Sequence, residues 1–129
     1  YPAMLARRRA IGMKYNAGFK KLEETGMIAL PLQQKEQIYQ EYIVEIKDMW
    51  NFKKFMDEKG IELLIRDTTP NHIMYKRFFP ADLKLPVTER LATSSVRLPT
   101  YPELHDYEVE KIIKAVNEFY EKRGSVSVR

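Results

Sequence analysis

Residues 42–65 read YIVEIKDMWNFKKFMDEKGIELLI, and this stretch decides the fold class. Its first five residues are β-branched, aromatic and partly alternating, which predicts a strand over residues 42–46. Asp48 stands where a helix N-cap is favourable and Gly60 where a helix ends, so a helix is predicted between them. A second short strand follows over residues 61–65. These short connections predict a compact β-α-β unit and leave the relative direction of the two strands open.

The helix of this unit carries several large apolar side chains. Met49, Phe52 and Met56 line one face at helical spacing, together with Phe55. Trp50 is interpreted in the same way as Phe52, as part of the helix face that joins the core and not as a stacking platform for a ligand.

Upstream of the unit, residues 1–24 predict an amphipathic helix of about six turns. Gly26 follows as a C-cap, and the residues after it read as a loop. The helix also holds six basic and two acidic residues, which accounts for the whole net charge of +4. Its apolar residues recur at helical spacing and are Met4, Ile11, Tyr15, Phe19 and Leu22.

Downstream, the proline-rich residues 66–86 predict an irregular segment that its aromatic residues hold against the domain. A short helix begins at Pro86, and a brief strand covers residues 96–98. The last helix has the clearest periodicity in the chain, with Asp106 as its N-cap and Gly124 as its terminator. The order of elements predicts a small α+β domain, with a three-stranded sheet covered by helices.

Composition excludes several classes of protein. The 129 residues include no cysteine, so disulfides, thiolate metal sites and cysteine nucleophiles are absent. The two histidines, His72 and His105, are too far apart for a local zinc motif. No apolar run is long enough for a membrane span, so no membrane partner is expected. Glycine-rich phosphate loops are missing as well.

The basic cluster Arg7, Arg8 and Arg9 raises the question of nucleic-acid binding, because cations that neutralise phosphates add affinity. No helix-turn-helix or aromatic RNA-binding strand accompanies it. Solvated arginines on an amphipathic helix are common, so we expect no nucleic-acid partner.

Other polar residues give weak indications of chemistry. His72 lies in the irregular segment, where an imidazole could move protons near neutral pH or serve as a surface residue. His105 belongs to the start of the last helix. Asp67, Asp82 and Glu89 have no spacing that brings two carboxylates together, and the helix dipole explains Glu89. The residues alone therefore indicate a domain without a self-contained active site.

Short motifs in a fixed order add a family resemblance. They are RRAI at 8–11, LP at 30–31, YIV at 42–44, GI at 60–61, LPVTERL at 85–91, LPTYPEL at 98–104 and EV at 108–109. Each is weak alone, but their ordered spacing resembles the C-terminal small domain of the DegT/StrS family of pyridoxal-phosphate-dependent sugar aminotransferases. LPTYPEL is the most specific of them.

The resemblance implies the fold-type I architecture of aspartate aminotransferase. Residues 1–24 would be the helix that leads out of a large domain, and residues 25–129 the small domain. It also implies a cytoplasmic homodimeric enzyme that uses pyridoxal phosphate to move an amino group from an amino acid to a nucleotide-linked keto-sugar. The Schiff-base lysine and most cofactor contacts would come from the large domain, so the chain alone is expected to be inactive.

The family's loop pattern H-Y-P-x-P-x-H falls on residues 66–72. Arg66 and Asp67 stand in place of its first two residues, whereas Pro70 and His72 match its later proline and histidine. The resemblance implies that His72, Arg66 and Asp67 line the nucleotide-sugar cleft. The departure at Arg66 and Asp67 indicates an altered or lost substrate preference.

Two alternatives remain. Some relatives of this kind are sugar dehydratases, in which a histidine replaces the lysine. Or the chain is a non-catalytic module whose exposed aromatic loop binds a protein partner. Because the chain begins with Tyr1 instead of methionine, we expect further sequence upstream.

Overall fold

The computed structural model describes residues 2–33, 37–65 and 70–123. Within these ranges it gives the backbone alone for Asn71, His72, Lys76 and Arg123.

Six α-helices and three strands make up the described part of the chain. In order they are α1 (Pro2–Gly18), α2 (Lys20–Glu24), β1 (Ile28–Ala29), β2 (Tyr42–Ile46), α3 (Met49–Glu58), α4 (Asn71–Met74), a 3-10 turn (Lys76–Phe78), α5 (Pro86–Ala92), β3 (Ser95–Leu98) and α6 (Asp106–Arg123).

The strands form one antiparallel sheet in the order β1-β2-β3, with β2 in the middle. Val44 pairs with Val96, and Ile28 pairs with Ile46. The predicted α+β class and the three-stranded sheet are confirmed. β1 was missed because a two-residue strand carries too little alternation to detect.

The strand predicted over residues 61–65 is wrong. This segment makes only an isolated antiparallel bridge, in which Leu64 and Arg97 exchange backbone hydrogen bonds of 3.2 and 2.9 Å. The next hydrogen-bonded pair of that ladder, two residues along, would be Glu62 opposite Pro99. Because proline has no N–H, Pro99 cannot donate to Glu62, and the described residues form no further pair on that side of the bridge.

Helix ends follow the glycine signals. At Gly26, where φ is +75°, the N–H groups of Gly26 and Met27 donate to the carbonyls of Glu23 and Leu22 in a Schellman pattern. Gly60 ends α3 with the same pattern. The single six-turn helix is corrected to two helices, α1 and α2, which meet at Phe19.

Two N-terminal predictions differ in detail. Asp48 occupies the N-cap position of α3 but has a left-handed backbone, and its carboxylate accepts hydrogen bonds of 3.0 Å from Asn51. Asp106 was predicted as the N-cap of the last helix, but α6 begins at Asp106 itself. The backbone N–H of His105 donates to the Glu108 carboxylate at 3.3 Å, which satisfies a donor at this helix start.

The hydrophobic core lies between one face of the sheet and α1, α3 and α6. Trp50 was predicted to join it but is 60% exposed, because it lies one residue away from the buried stripe of Met49, Phe52 and Met56. Met4 is exposed as well. The largest fully buried side chains are Tyr15, Tyr42, Phe19, Phe52, Ile11, Ile46, Met56, Val44, Val96, Val109 and Val116.

Candidate functional site

A groove of about 720 Å³ lies between the segment that follows α3 and the segment that follows β3. One wall is residues 60–64, and the other is residues 97–101 with the first turns of α6. Its floor is aliphatic, because Ile61, Leu63 and Leu98 are buried there. Such a volume falls in the range of small-molecule sites in proteins.

Charged and aromatic side chains line the groove. Arg97 and Glu41 form an ion pair at 3.0 Å. Tyr101, Tyr107 and Lys111 are exposed at the opposite wall. The ring of Tyr107 stacks on that of His105, with centroids 5.5 Å apart and planes 9° from parallel, which favours one orientation of the tyrosine. Sequence reasoning missed these residues, and Pro99 was the signal that could have found the groove.

Arginines of α1 hold one wall of the groove in place. Arg8 donates from Nη1 to the carbonyl oxygens of Thr100, at 2.7 Å, and Gln40, at 3.0 Å. Arg7 donates to the carbonyl oxygen of Leu104 and pairs with the Asp106 carboxylate at 2.8 Å. The basic cluster thus has a structural role, because Arg7 and Arg8 are engaged inside the domain. Arg9 also donates to a backbone carbonyl.

Asp106 is the carboxylate on which two cations of α1 converge. Lys14 lies 3.1 Å from it, on the same carboxylate oxygen that Arg7 contacts. Hydrogen bonds from Arg7 and Lys14 hold the pKa of Asp106 below its ordinary value. The beginning of α6 is therefore tied to α1 by charge.

Buried tyrosines connect α1 with the sheet. The Tyr15 hydroxyl donates to the carbonyl oxygen of Pro99, and the Tyr42 hydroxyl donates to Asn16 Oδ1 at 2.7 Å. Asn16 in turn donates to the Tyr39 hydroxyl at 2.8 Å. Burial raises the pKa of Tyr15 and of Tyr42 far above the ordinary tyrosine value. Both hydroxyls thus keep their protons at neutral pH and act as hydrogen-bond donors.

Three residues were predicted to line a substrate cleft, and the structure tests none of them. Arg66 and Asp67 lie outside the described residues, and His72 lies in α4 with only its backbone described. Their assignment stays a prediction. Of the other carboxylates that the sequence singled out, Glu89 accepts a hydrogen bond of 3.0 Å from the N–H of Leu85 at the start of α5, and Asp82 is exposed.

An apolar arm, residues 73–91, carries the densest exposed hydrophobic surface. Eight of its large apolar side chains are 37–68% exposed. A soluble monomer seldom exposes so many apolar side chains so close together along the chain, so this arm has the character of an interface. The exposed members are Ile73, Met74, Tyr75, Phe78, Phe79, Leu85, Val87 and Leu91.

Within the described ranges, no three histidine, aspartate or glutamate side chains gather as metal ligands would. None of the described helices has the length and apolar run that crossing a bilayer requires.

Sequence comparison decides the family. Residues 1–117 match the model of the DegT/DnrJ/EryC1/StrS aminotransferase family. The chain belongs to that family. The resemblance inferred from the ordered motifs is confirmed, and DegT-family structures share the fold described above.

One curated protein and one solved structure are similar to this chain over most of its length. A dTDP-3-amino-3,4,6-trideoxy-alpha-D-glucose transaminase from Micromonospora megalomicea subsp. nigra is 34% identical over 122 residues, which are 90% of this chain and 32% of the relative. S. venezuelae DesV, solved in complex with a ketimine intermediate, has a TM-score of 0.81 at 25% identity over 93% of this chain and 33% of DesV. The chain spans about a third of the length of these relatives.

A structural neighbour of lower sequence identity shows the fold alone. Bacillus subtilis ntda, solved with bound cofactor PMP, is 16% identical, with a TM-score of 0.81 over 92% of this chain and 28% of that one.

The described lysines are all partly or fully exposed. A Schiff-base lysine works in an enclosed, partly desolvated pocket. No lysine that the structure describes is buried, and the groove's Lys111 is open to solvent.

Proposed function

We propose that this chain forms the C-terminal small domain of a pyridoxal-phosphate-dependent sugar aminotransferase. The full enzyme would transfer an amino group from an amino acid to a nucleotide-linked keto-sugar. The observation that carries the proposal is the family match over residues 1–117. The names of the relatives support the substrate class, since two of them are transaminases of dTDP-linked amino sugars.

In this proposal the cofactor is held by a large domain of the same protein, for two reasons. The chain covers about a third of its relatives, so they hold residues without a counterpart here. The described lysines are also unsuited to the role, as argued above. The domain arrangement is the one that the resemblance implies, with residues 1–24 leading from the large domain and residues 25–129 forming the small one.

The apolar arm supports a partner domain. Side chains such as Phe78, which is 68% exposed, would be covered if the arm packed against the large domain or a second subunit. We propose that the full enzyme is a cytoplasmic homodimer whose interface or domain boundary covers this arm. Residues 66–72, next to the arm, would line the nucleotide-sugar cleft through Arg66, Asp67 and His72.

The alternative is a non-catalytic module, in which the same arm binds another protein. Intact mass of the native polypeptide separates the two possibilities. A native product of the relatives' length, with an upstream lysine that borohydride fixes to pyridoxal phosphate, supports the aminotransferase. A native product of about this chain's length, with no transamination, supports the module. A histidine in place of that lysine would indicate a sugar dehydratase.

The site proposal is tested in the native-length enzyme by His72→Asn. Transamination is measured between dTDP-3-amino-3,4,6-trideoxy-alpha-D-glucose and 2-oxoglutarate. We expect the KM for the sugar nucleotide to rise about tenfold, because a lost hydrogen bond to a ligand costs about 1.4 kcal/mol. The KM for 2-oxoglutarate should change much less. His105→Asn is the matched control, and an equal rise in both variants would refute the assignment of His72.

A further inference from the structure

We propose that the groove between residues 60–64 and the start of α6 is a second ligand site, which binds an uncharged polyhydroxylated ring such as a pyranose. The proposal does not depend on the transamination proposed above.

The groove offers main-chain groups that the protein leaves unused. Glu62 lies two residues before Leu64, so its N–H and C=O point to the same side as those that Leu64 gives to Arg97. The residue opposite is Pro99, which has no N–H, and the Pro99 carbonyl already accepts a hydrogen bond from Tyr15. Among the described residues, the Glu62 backbone has no hydrogen-bond partner. Its N–H and C=O are thus available to a ligand in the groove.

The opposite wall argues against a peptide strand as the ligand. A strand that filled the groove by pairing with both walls would need acceptors along residues 99–101 as well as along Glu62. The carbonyls of Pro99, Thr100 and Tyr101 are occupied by Tyr15, Arg8 and Leu104 respectively. The wall of residues 99–101 therefore has no unoccupied carbonyl acceptor for a strand, and the groove suits a small molecule better.

The charges of the groove argue against a phosphate-bearing ligand. Its cations are Arg97 and Lys111, and its carboxylates are Glu41, Glu62 and Glu108. Arg97 is already paired with Glu41. With one more carboxylate than cations, the groove would repel a diphosphate. A neutral ligand would not be repelled in this way.

The aromatic residues favour a ring with an apolar face. Tyr107 is 68% exposed, and stacking on His105 favours one ring orientation, so the opposite ring face is available at little ordering cost. Tyr101 adds a second exposed aromatic ring to the lining. A pyranose has an apolar face of C–H groups for such a ring and hydroxyls for Glu108, Lys111 and the Glu62 backbone. The aliphatic floor of Ile61 and Leu63 completes the site.

The test is an NMR titration of the 129-residue chain, labelled with ¹⁵N, with methyl β-D-glucopyranoside as the probe. We expect saturable shifts of the amide signals of Glu62, Tyr107 and Lys111. Tyr107→Ala should weaken binding about tenfold, and Tyr107→Phe, which keeps the ring, should retain most of it. Tyr75→Ala is the matched control, because Tyr75 is also exposed but lies outside the groove.

Three results would overturn the proposal. They are shifts that do not saturate, equal affinity in Tyr107→Ala and the unchanged chain, and tighter binding of inorganic phosphate than of the glucoside at the same amides. Circular dichroism of each variant shows whether the substitution preserved the fold. If Tyr107→Ala does not fold, saturation of the shifts and the comparison with phosphate in the unchanged chain still decide the test. Since the readout is binding to this chain alone, its failure would leave the aminotransferase proposal unaffected.

Discussion

The hydroxyl of Tyr15 donates a hydrogen bond of 2.6 Å to the carbonyl oxygen of Pro99. This contact joins the last turn of α1 to the first residue after β3. It also satisfies a carbonyl that the interrupted ladder would leave without a partner, since the residue opposite, Glu62, does not pair with it. The groove and this hydrogen bond therefore both lie at Pro99, where the pairing is interrupted.

Tyr15→Phe removes this hydroxyl and leaves the ring in the core. We expect the free energy of unfolding to fall by about 1–2 kcal/mol, because a part-buried carbonyl loses its hydrogen bond. Urea denaturation followed by circular dichroism measures the change. Tyr75→Phe removes a hydroxyl from an exposed ring and should change stability by less than about 0.5 kcal/mol. Equal effects in the two variants would show that the Tyr15–Pro99 bond is energetically unimportant.

Gly12→Ala should destabilise the domain, although alanine is the better helix former. An added Cβ would lie 2.4 Å from Cδ2 of Tyr39, well inside contact distance. Tyr39 has little freedom to move, because it is buried and has a φ of +55°. Overpacking of this kind costs about 1–3 kcal/mol, which exceeds the gain of about 1 kcal/mol in helix propensity.

The partner variant Tyr39→Ala isolates the cause of that cost. It removes the ring that the new methyl group would meet, so adding Gly12→Ala in that background should be neutral or stabilising. Thermal unfolding of the single and double variants gives the coupling. A penalty for Gly12→Ala that persists without the Tyr39 ring would contradict the steric explanation.

Arg8→Lys keeps the charge but should lose stability. Arg8 donates to two carbonyl oxygens, those of Thr100 and Gln40, and the smaller ammonium group does not reproduce the planar donor geometry of a guanidinium. We expect a loss of about 1–2 kcal/mol in the free energy of unfolding. Lys20→Arg changes an exposed cation on the neighbouring helix and serves as the control. If both exchanges are neutral, Arg8 acts through its charge alone.

Stability should fall in acid partly through Asp106. Its pKa is lower in the folded chain than in the unfolded one, because Arg7 and Lys14 donate hydrogen bonds to its carboxylate. Its contribution is therefore present above the unfolded pKa and is lost as the pH falls through the folded pKa. Asp106→Asn should flatten the dependence of unfolding free energy on pH in that window.

The control for the acid prediction is Glu110→Gln. Glu110 is exposed on the same helix and has no ion pair among the described residues. In Glu110→Gln the unfolding free energy should depend more steeply on pH than it does in Asp106→Asn. High salt should also reduce the effect of Asp106, since its ion pairs are open to solvent. Parallel pH curves for Asp106→Asn and the unchanged chain would disprove this role of the carboxylate.

Local signals predicted most of the fold. The periodicity of α6, the alternation in β2 and the glycines at positions 26 and 60 all act within a few residues, and the structure confirms them. The prediction of a strand over residues 61–65 was wrong because the pairing of this segment depends on residues near Pro99, which are distant in sequence. The prediction that Trp50 joins the core was wrong because it was based on residue type and did not take account of the angular position of Trp50 around the helix.

The candidate site was less predictable. The groove is built from three segments that are far apart in sequence, and no single motif records their meeting. Tyr107 has no special feature in the sequence, although the structure stacks it on His105 at the groove. The residues that the family pattern does single out, Arg66 and Asp67, lie outside the described ranges, so their assignment still rests on the pattern alone.

The pairing of β2 with β3 has a consequence for how the protein is made. Val44 meets Val96 across the sheet, and everything from α3 to α5 lies between them in sequence. Closing such a long loop costs chain entropy before any contact repays it. During synthesis β2 emerges well before its partner strand β3. Likewise, α1 emerges long before α6, the helix that packs against it. We therefore expect the domain to fold late in synthesis, with the apolar faces of α1 and α3 open to chaperones until the last helix emerges.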